Sequence, residues 1–472
     1  MTSRFRLNMG NALRNASWIF PATALLLSST AAHAWSYKEA AQPYAGTTIT
    51  VLDEITPLQE TMQKLIPKFV EQTGIKVNYE LLSHPEVISK GQADMLSRRG
   101  EYDAVMLHSA QLGLLLSAGV MRPLDAFLGN PKLTDPGFNL ADFIEPGASS
   151  LTRFRGQTWG FLTWNYNQIY WARGDLLDNP AEKAAFKAKY GYELAPAATL
   201  EQIRDIAEFF TRPKGARLAG ETLSSDYYGI VLEGIRGGTT FVSVWNNFVR
   251  NWGGDLFDKD GKPTFDRPEN VAAVKFWADL WKFSPPGQAE YSLIDVPTVM
   301  GNGIAAQTLA WSDFVLGIDK PGASKLAGKF VYRGVPGKAG QTTPRHAETE
   351  PSTLVISNSS RAPEATYLFL QWMADKGTQT ALTEMLGGGV PIRNSLWDTP
   401  TLKNSPNASL FKAMQESMKY GYAKPRAPKI YEIYDVMGAT LQDIATGKVS
   451  AEQGMKAAQE KISTICQKCF LE

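Results

Sequence analysis

The sequence predicts an α/β protein built around parallel strands, on three observations. β-type runs alternate with amphipathic helical runs over residues 47–119, and the connections between them are short. The chain of 472 residues is also long enough for two or three domains, each with its own core. Hydrophobic residues make up 44 % and charged residues 20 %, a globular balance that argues against disorder, collagen-like repeats or a disulfide scaffold.

Residues 47–52 form the first β-type run. Over 57–73, Leu58, Met62, Leu65, Ile66 and Phe69 recur at helical spacing, with Gly74 as the stop and Pro67 expected to kink or split the helix. A second strand is predicted over 75–79, a helix over 86–98, a third strand over 102–107 and a helix over 110–118 closed by Gly119. Ligands of such sheets sit beyond the carboxyl ends of the strands. After an irregular stretch at 129–147, Thr199 caps a helix over 200–210 and Pro213 follows it. Further helices are predicted over 241–252 and 268–282, separated by a turn-rich segment at 253–261. A strand at 353–357 and a helix at 363–374 follow, and the chain reads largely helical from Ser409.

Residues 1–34 carry Arg4, Arg6 and Arg14 with no acid, then an apolar run near ten residues, then Ala32-His33-Ala34. These are the three parts of a secretory signal peptide, and the run is short of the roughly 20 residues a membrane span needs. Cleavage is expected after Ala34 and the location in the periplasm. Removing three arginines from 48 basic residues leaves 45 against 47 acidic ones, turning a charge of +1 into −2. No basic field is left for nucleic acid.

Catalytic signatures are weak. His84, His108 and His346 lie outside any H-E-x-x-H or Cys/His zinc spacing, so neither metal nor cofactor is expected. There is no G-x-S-x-G elbow, Walker A loop or G-x-G-x-x-G after a strand. Asp255, Asp258 and Asp260 before Gly261 lack the ligand order of a calcium loop. Cys466 and Cys469 form a C-x-x-C after a helical run at the chain's end, where a thioredoxin-like site would need a preceding strand; a local disulfide or two thiols remain open. A secreted hydrolase using Asp53 and Glu54 is a competing reading, although neighbours in an extended segment point apart.

The twelve tryptophans favour binding over catalysis. Trp159, Trp164, Tyr166, Tyr170 and Trp171 interleave with Asn165, Asn167 and Gln168; Trp245 precedes Asn246, and Trp311 precedes Ser312 and Asp313. Aromatic faces cover the C–H faces of sugars and polyols while amides and carboxylates bond their hydroxyls. Trp277, Trp281 and Trp372, inside helices, read as core.

Several stretches together resemble the extracellular solute-binding proteins of ABC importers, in the branch serving sugars and polyols. Ala118-Gly119-Val120-Met121-Arg122-Pro123-Leu124-Asp125 resembles that family's A-G-hydrophobic-x-x-P-L-D segment. Gly253-Gly254-Asp255-Leu256-Phe257-Asp258 through Thr264-Phe265-Asp266 resembles its G-G-x-hydrophobic-x-D…F-D hairpin. Leu354-Val355-Ile356-Ser357, Pro363-Glu364-Ala365, Phe369-Leu370-Gln371-Trp372 and Val390-Pro391-Ile392-Arg393 match further motifs in order. Ile169 to Leu176 and Gly160-Phe161-Leu162 depart from the pattern.

The resemblance implies a two-lobed periplasmic binding protein (Venus-flytrap) fold, each lobe a mainly parallel sheet flanked by helices, with the ligand cleft between lobes that close by hinge motion. One lobe is expected from 47–153 plus about 300–350, the other from 154–299 plus about 351–472 with the C-terminal helices. The implied partners are a sugar or polyol and the membrane permease subunits of an ABC transporter, with no nucleic acid, and the protein is expected to be a monomer and not an enzyme. A pocket of the same fold for an amine, peptide or organic anion is the alternative. Carried over by position, the ligand-binding residues are Glu54, His108, Ser109, Trp164, Tyr166, Asn167, Trp245, Asn246, Trp311, Asp313, Gly388 and Arg393. The indoles of Trp164, Trp245 and Trp311 are expected to stack on ligand, and Glu54 and Asp313 to accept hydroxyls.

Overall fold

Strand Thr48–Glu54 pairs in parallel with Lys76–Leu82 on one side and Ala104–Leu107 on the other, so three carboxyl ends meet at one edge. The computed structural model describes residues 35–237, 239–319, 322, 324–341, 347–386 and 390–471. The export segment expected over 1–34 lies outside them, as does Gly388. Among the described residues no helix is long and apolar enough to cross a membrane.

Local chemistry sets the first helices. Thr56 accepts a hydrogen bond from the Gln59 N–H at the start of Pro57–Thr73, and Gly74 ends that helix at φ 70°, a left-handed turn open to glycine. The helix runs unbroken through Pro67, which is exposed: the Gln63 carbonyl that loses its donor lies on the solvent side, where water replaces it. Ser83 and Glu86 form a capping box at the start of His84–Ser97.

Strand Ser352–Ser357 joins this sheet antiparallel to Ala104–Leu107, and Gly160–Trp164 and Met121–Arg122 pair with it in turn. A second sheet is antiparallel throughout: Gln168–Arg173 lies between Gln307–Trp311 and Phe330–Arg333. Tyr228 and Val231 bridge in parallel to Ala305 and Thr308. Strand directions are therefore more mixed than expected: Ser352–Ser357 runs antiparallel to Ala104–Leu107, and Gln307–Trp311 and Phe330–Arg333 run antiparallel to Gln168–Arg173.

The allocation of the late segments also differs from the sequence expectation. Gln307–Trp311, expected with the first sheet, pairs with Gln168–Arg173; Ser352–Ser357, expected with the second, completes the first. The chain crosses between the sheets at 165–167 and again between Arg333 and Ser352. Helix Pro363–Ala374 packs on the first sheet, while Ala408–Met418 packs on the second. Helices Leu200–Phe210, Thr239–Asn251, Pro268–Leu280, Ile430–Ala445 and Ala451–Ile465 share one core with Trp245 and Trp277. Cys466 and Cys469 form a disulfide just beyond the last helix.

Candidate functional site

Strand direction brings the site together. Glu54 is the last residue of the first strand, His84 opens the helix after the second, and His108 follows the third. Trp164 ends Gly160–Trp164, and Glu350 precedes the antiparallel strand Ser352–Ser357, so both reach the same edge. From the second sheet come Trp311, the last residue of Gln307–Trp311, and then Asp313 and Phe314. Tyr166 lies in the crossing segment between the sheets. These side chains, with Ile88, Ala110, Thr240, Leu293 and Tyr431, line one cavity.

Aromatic rings join the two sheet edges: the Trp164 and Tyr166 centroids are 4.9 Å apart, and those of Tyr166 and Trp311 5.3 Å. The Nε1 of Trp164 and the Oδ1 of Asp313 are buried atoms with no hydrogen-bond partner among the described residues. Groups left open on a cavity wall are what a ligand satisfies.

The polar side of the cavity is a chain of hydrogen bonds. His108 Nε2–H donates to Glu54 Oε2 (2.7 Å) and His84 Nδ1–H donates to the same oxygen (3.0 Å). Tyr166 O–H donates to His108 Nδ1 (2.9 Å), which fixes the His108 tautomer. Burial would raise the Glu54 pKa, but the two histidines outweigh it and bring it to about 2. Burial lowers the His108 pKa despite the pull of the Glu54 carboxylate. Desolvation, with the nearby Glu54 charge, pushes Asp313 up to about 7.

Behind this wall Ser109 Oγ–H donates to Glu350 Oε1 (2.8 Å), and the fully buried Lys424 pairs with Glu348 (2.8 Å) and Glu350. The Lys424 ammonium lies 5.7 Å over the Trp311 ring. Burial lowers its pKa against the pull of Glu348. Its charge is answered by two carboxylates instead of facing the cavity.

Of the expected residues, Glu54, His108, Trp164, Tyr166, Trp311 and Asp313 come together on the cavity. Ser109 stands one layer back, holding Glu350. Asn167 is also behind the wall, its Nδ2 donating to the Met414 carbonyl (2.9 Å). Trp245 is a correction: its side chain is fully buried in the helical core, and Thr240, earlier on the same helix, lines the cavity instead. Asn246 is buried on that helix and does not line the cavity either. Arg393 is also corrected. Its Nε donates to the Ala374 carbonyl (2.6 Å) and its Nη1 to the Asn139 carbonyl (3.0 Å), while its guanidinium stacks on Phe143 and Phe138, 4.5 and 5.1 Å from their centroids. It clamps a loop to a helix end away from the cavity.

His84 and Glu350 were not anticipated. The second strand runs to Leu82 instead of Tyr79, which carries His84 to the carboxyl edge; the rule that singled out Glu54 and His108 would have found it with that strand end.

The bacterial extracellular solute-binding protein family model matches residues 53–380. The chain belongs to that family. An erythritol/L-threitol-binding protein of Mycolicibacterium smegmatis is 23% identical over 443 residues, covering 89% of this chain and 86% of its own. A probable amino-acid ABC transporter periplasmic-binding protein of Sinorhizobium fredii is 24% identical over 434 residues, 90% of each chain. An Agrobacterium radiobacter ABC transporter solute-binding protein crystallised with ribitol superposes with a TM-score of 0.74 at 23% identity, covering 89% of this chain and 99% of that one. The family expected from the order of motifs is thus the family matched, and the fold is its two-lobed, mixed α/β architecture. Members of this family are solute-binding components of transport systems.

Proposed function

We propose that the protein captures a polyol or small sugar in the Glu54–Trp164–Trp311–Asp313 cavity and delivers it to the permease of an ABC importer. The observation that carries this reading is the lining itself: indoles at two sheet edges, three carboxylates as hydroxyl acceptors and, among the described residues, no arginine or lysine on the wall. A neutral, hydroxyl-rich ligand offers apolar C–H faces to Trp164 and Trp311 and O–H donors to Glu54, Asp313 and Glu350. A carboxylate-bearing solute such as an amino acid would need a cation, and Lys424, which lies over the Trp311 ring, is already engaged by Glu348 and Glu350.

On this reading residues 1–34 address the chain for export, cleavage follows Ala34, and the remaining monomer works in the periplasm without catalysing a reaction. The partners carried over from the relatives are consistent: one binds erythritol or L-threitol and another was crystallised with ribitol. Thermal unfolding of residues 35–472 with a panel of solutes tests the proposal. Tetritols and pentitols are expected to raise the melting temperature, the native state gaining about 2.7 kcal/mol at 100 times Kd. A shift with amines, peptides or organic anions, and none with polyols or sugars, would overturn it.

A further inference from the structure

His84 and His108, 24 positions apart in sequence, converge with Glu54 at the wall of the cavity. One nitrogen of each ring and a Glu54 oxygen all lie within 4.8 Å of one another. Both imidazoles point at the same atom, Glu54 Oε2, at 3.0 and 2.7 Å. Each residue is placed by the carboxyl end of a different strand of one parallel set, which makes the constellation rigid.

We propose that Glu54, His84 and His108 bind a divalent transition-metal ion of the Zn2+ class, with an open coordination position facing the cavity. Two imidazole nitrogens and one carboxylate oxygen suit a borderline ion that takes mixed N/O ligands; Mg2+ and Ca2+ favour all-oxygen sets. Three protein ligands leave a tetrahedral ion one position for a water or a ligand hydroxyl.

A second layer is already built. The other nitrogen of His108, Nδ1, faces the Tyr166 hydroxyl at 2.9 Å. When the ion takes Nε2, the ring proton moves to Nδ1 and Tyr166 Oη accepts it, the outer-shell hydrogen bond that metal-bound histidines make. The set carries one formal negative charge, from Glu54, and the unpartnered Oδ1 of Asp313 lines the same cavity. The Tyr166 ring in turn makes a tilted contact with Trp164 and an edge-to-face contact with Trp311, so the ion would sit beside the aromatic part of the cavity.

The test uses residues 35–472 stripped with EDTA and dialysed, titrated with ZnCl2 by calorimetry in the absence of any polyol. One Zn2+ per chain is expected, with a Kd at or below about 10 µM, and no heat with CaCl2 or MgCl2. His84 is partly exposed (its side chain at 35%), so His84→Ala and the milder His84→Gln should both fold, which their melting curves check. Both are expected to weaken Zn2+ at least about 100-fold, and Tyr166→Phe by about 10-fold. Co2+ should give the intense visible absorption of a four-coordinate site in the wild type and lose it in His84→Ala. No binding at about 100 µM Zn2+, or unchanged binding in folded His84 variants, overturns the site. Polyol binding is measured separately with and without EDTA, so failure of the metal site and failure of the polyol reading are distinguishable.

Discussion

His108 Nε2 lies 2.7 Å from Glu54 Oε2, although the two residues belong to different strands and are 54 positions apart. That bond, with the one from His84, keeps Glu54 ionised inside a buried wall and keeps its oxygens oriented toward the cavity. Beside it, Asp313 is pushed the opposite way. Two carboxylates on one cavity therefore titrate in different ranges, a pattern that marks functional sites.

Asp313 should set the pH dependence of binding. With its pKa at about 7, the carboxyl is protonated in acid and ionised above neutrality. An ionised carboxylate accepts hydroxyl hydrogen bonds more strongly than a neutral acid. Polyol affinity measured by calorimetry is expected to rise as pH passes from 6 to 8, and the profile should flatten in Asp313→Asn. An unchanged profile in that variant removes Asp313 from the response.

The indoles separate binding from folding. Trp164→Ala and Trp311→Ala should each weaken polyol binding at least about 10-fold through lost stacking on ligand. Trp245→Ala should instead lower stability by about 3–5 kcal/mol, because it opens a hole in the helical core. Denaturant unfolding and calorimetry on the three variants check both halves; equal effects of all three on affinity would contradict the placement of Trp245.

Lys424→Met should be among the most destabilising single changes. It leaves Glu348 and Glu350 buried without their cation, a loss on the order of 3–5 kcal/mol. The triple change Lys424→Met, Glu348→Gln, Glu350→Gln should recover part of that loss in urea unfolding. Absence of any recovery would mean the carboxylates are satisfied by other groups.

Adjacent acids should shape stability in opposite directions. Desolvation raises Asp53 to about 7, against hydrogen bonds donated by the Tyr79 hydroxyl (2.6 Å) and the Glu54 amide (2.8 Å). The folded chain then holds a proton that the unfolded chain has released between about pH 4 and 7, so this group's contribution falls as pH rises through that window. Glu54, lowered to about 2, stabilises fully above its unfolded value near 4.5 and loses that contribution as pH falls toward 2. The Asp53 displacement corresponds to about 4 kcal/mol and that of Glu54 to about 3 kcal/mol. Urea unfolding at stepped pH should lose the neutral limb in Asp53→Asn and the acid limb in Glu54→Gln.

Arg393→Ala should cost about 2–4 kcal/mol of stability, since it removes buried, charge-assisted hydrogen bonds to the Ala374 and Asn139 carbonyls. Polyol affinity of the folded variant should equal that of wild type, in contrast to the expectation from sequence position.

Periodicity alone was enough for the elements whose own residues carry the signal. Helix Leu200–Phe210 stands where its spacing and the Thr199 cap put it, Pro363–Ala374 where its spacing does, and the first three strands appear in order. Motif order was enough for the family, because short segments that recur in sequence need no contact to be recognised. Six of the twelve expected site residues also meet on one cavity, since strand ends mark an edge before any partner is known.

Pairing across distance was decided only by the tertiary structure. A one-dimensional pattern does not say which sheet a late strand joins, so Gln307–Trp311 and Ser352–Ser357 exchanged places. Nor does it say which face of a buried helix looks inward, which is why Trp245 lies in the core while Thr240 reaches the cavity. The meeting of His84, His108 and Glu54 depends on three strands being parallel and in register. Register is set by hydrogen bonds between segments far apart in the chain, and no local spacing records it.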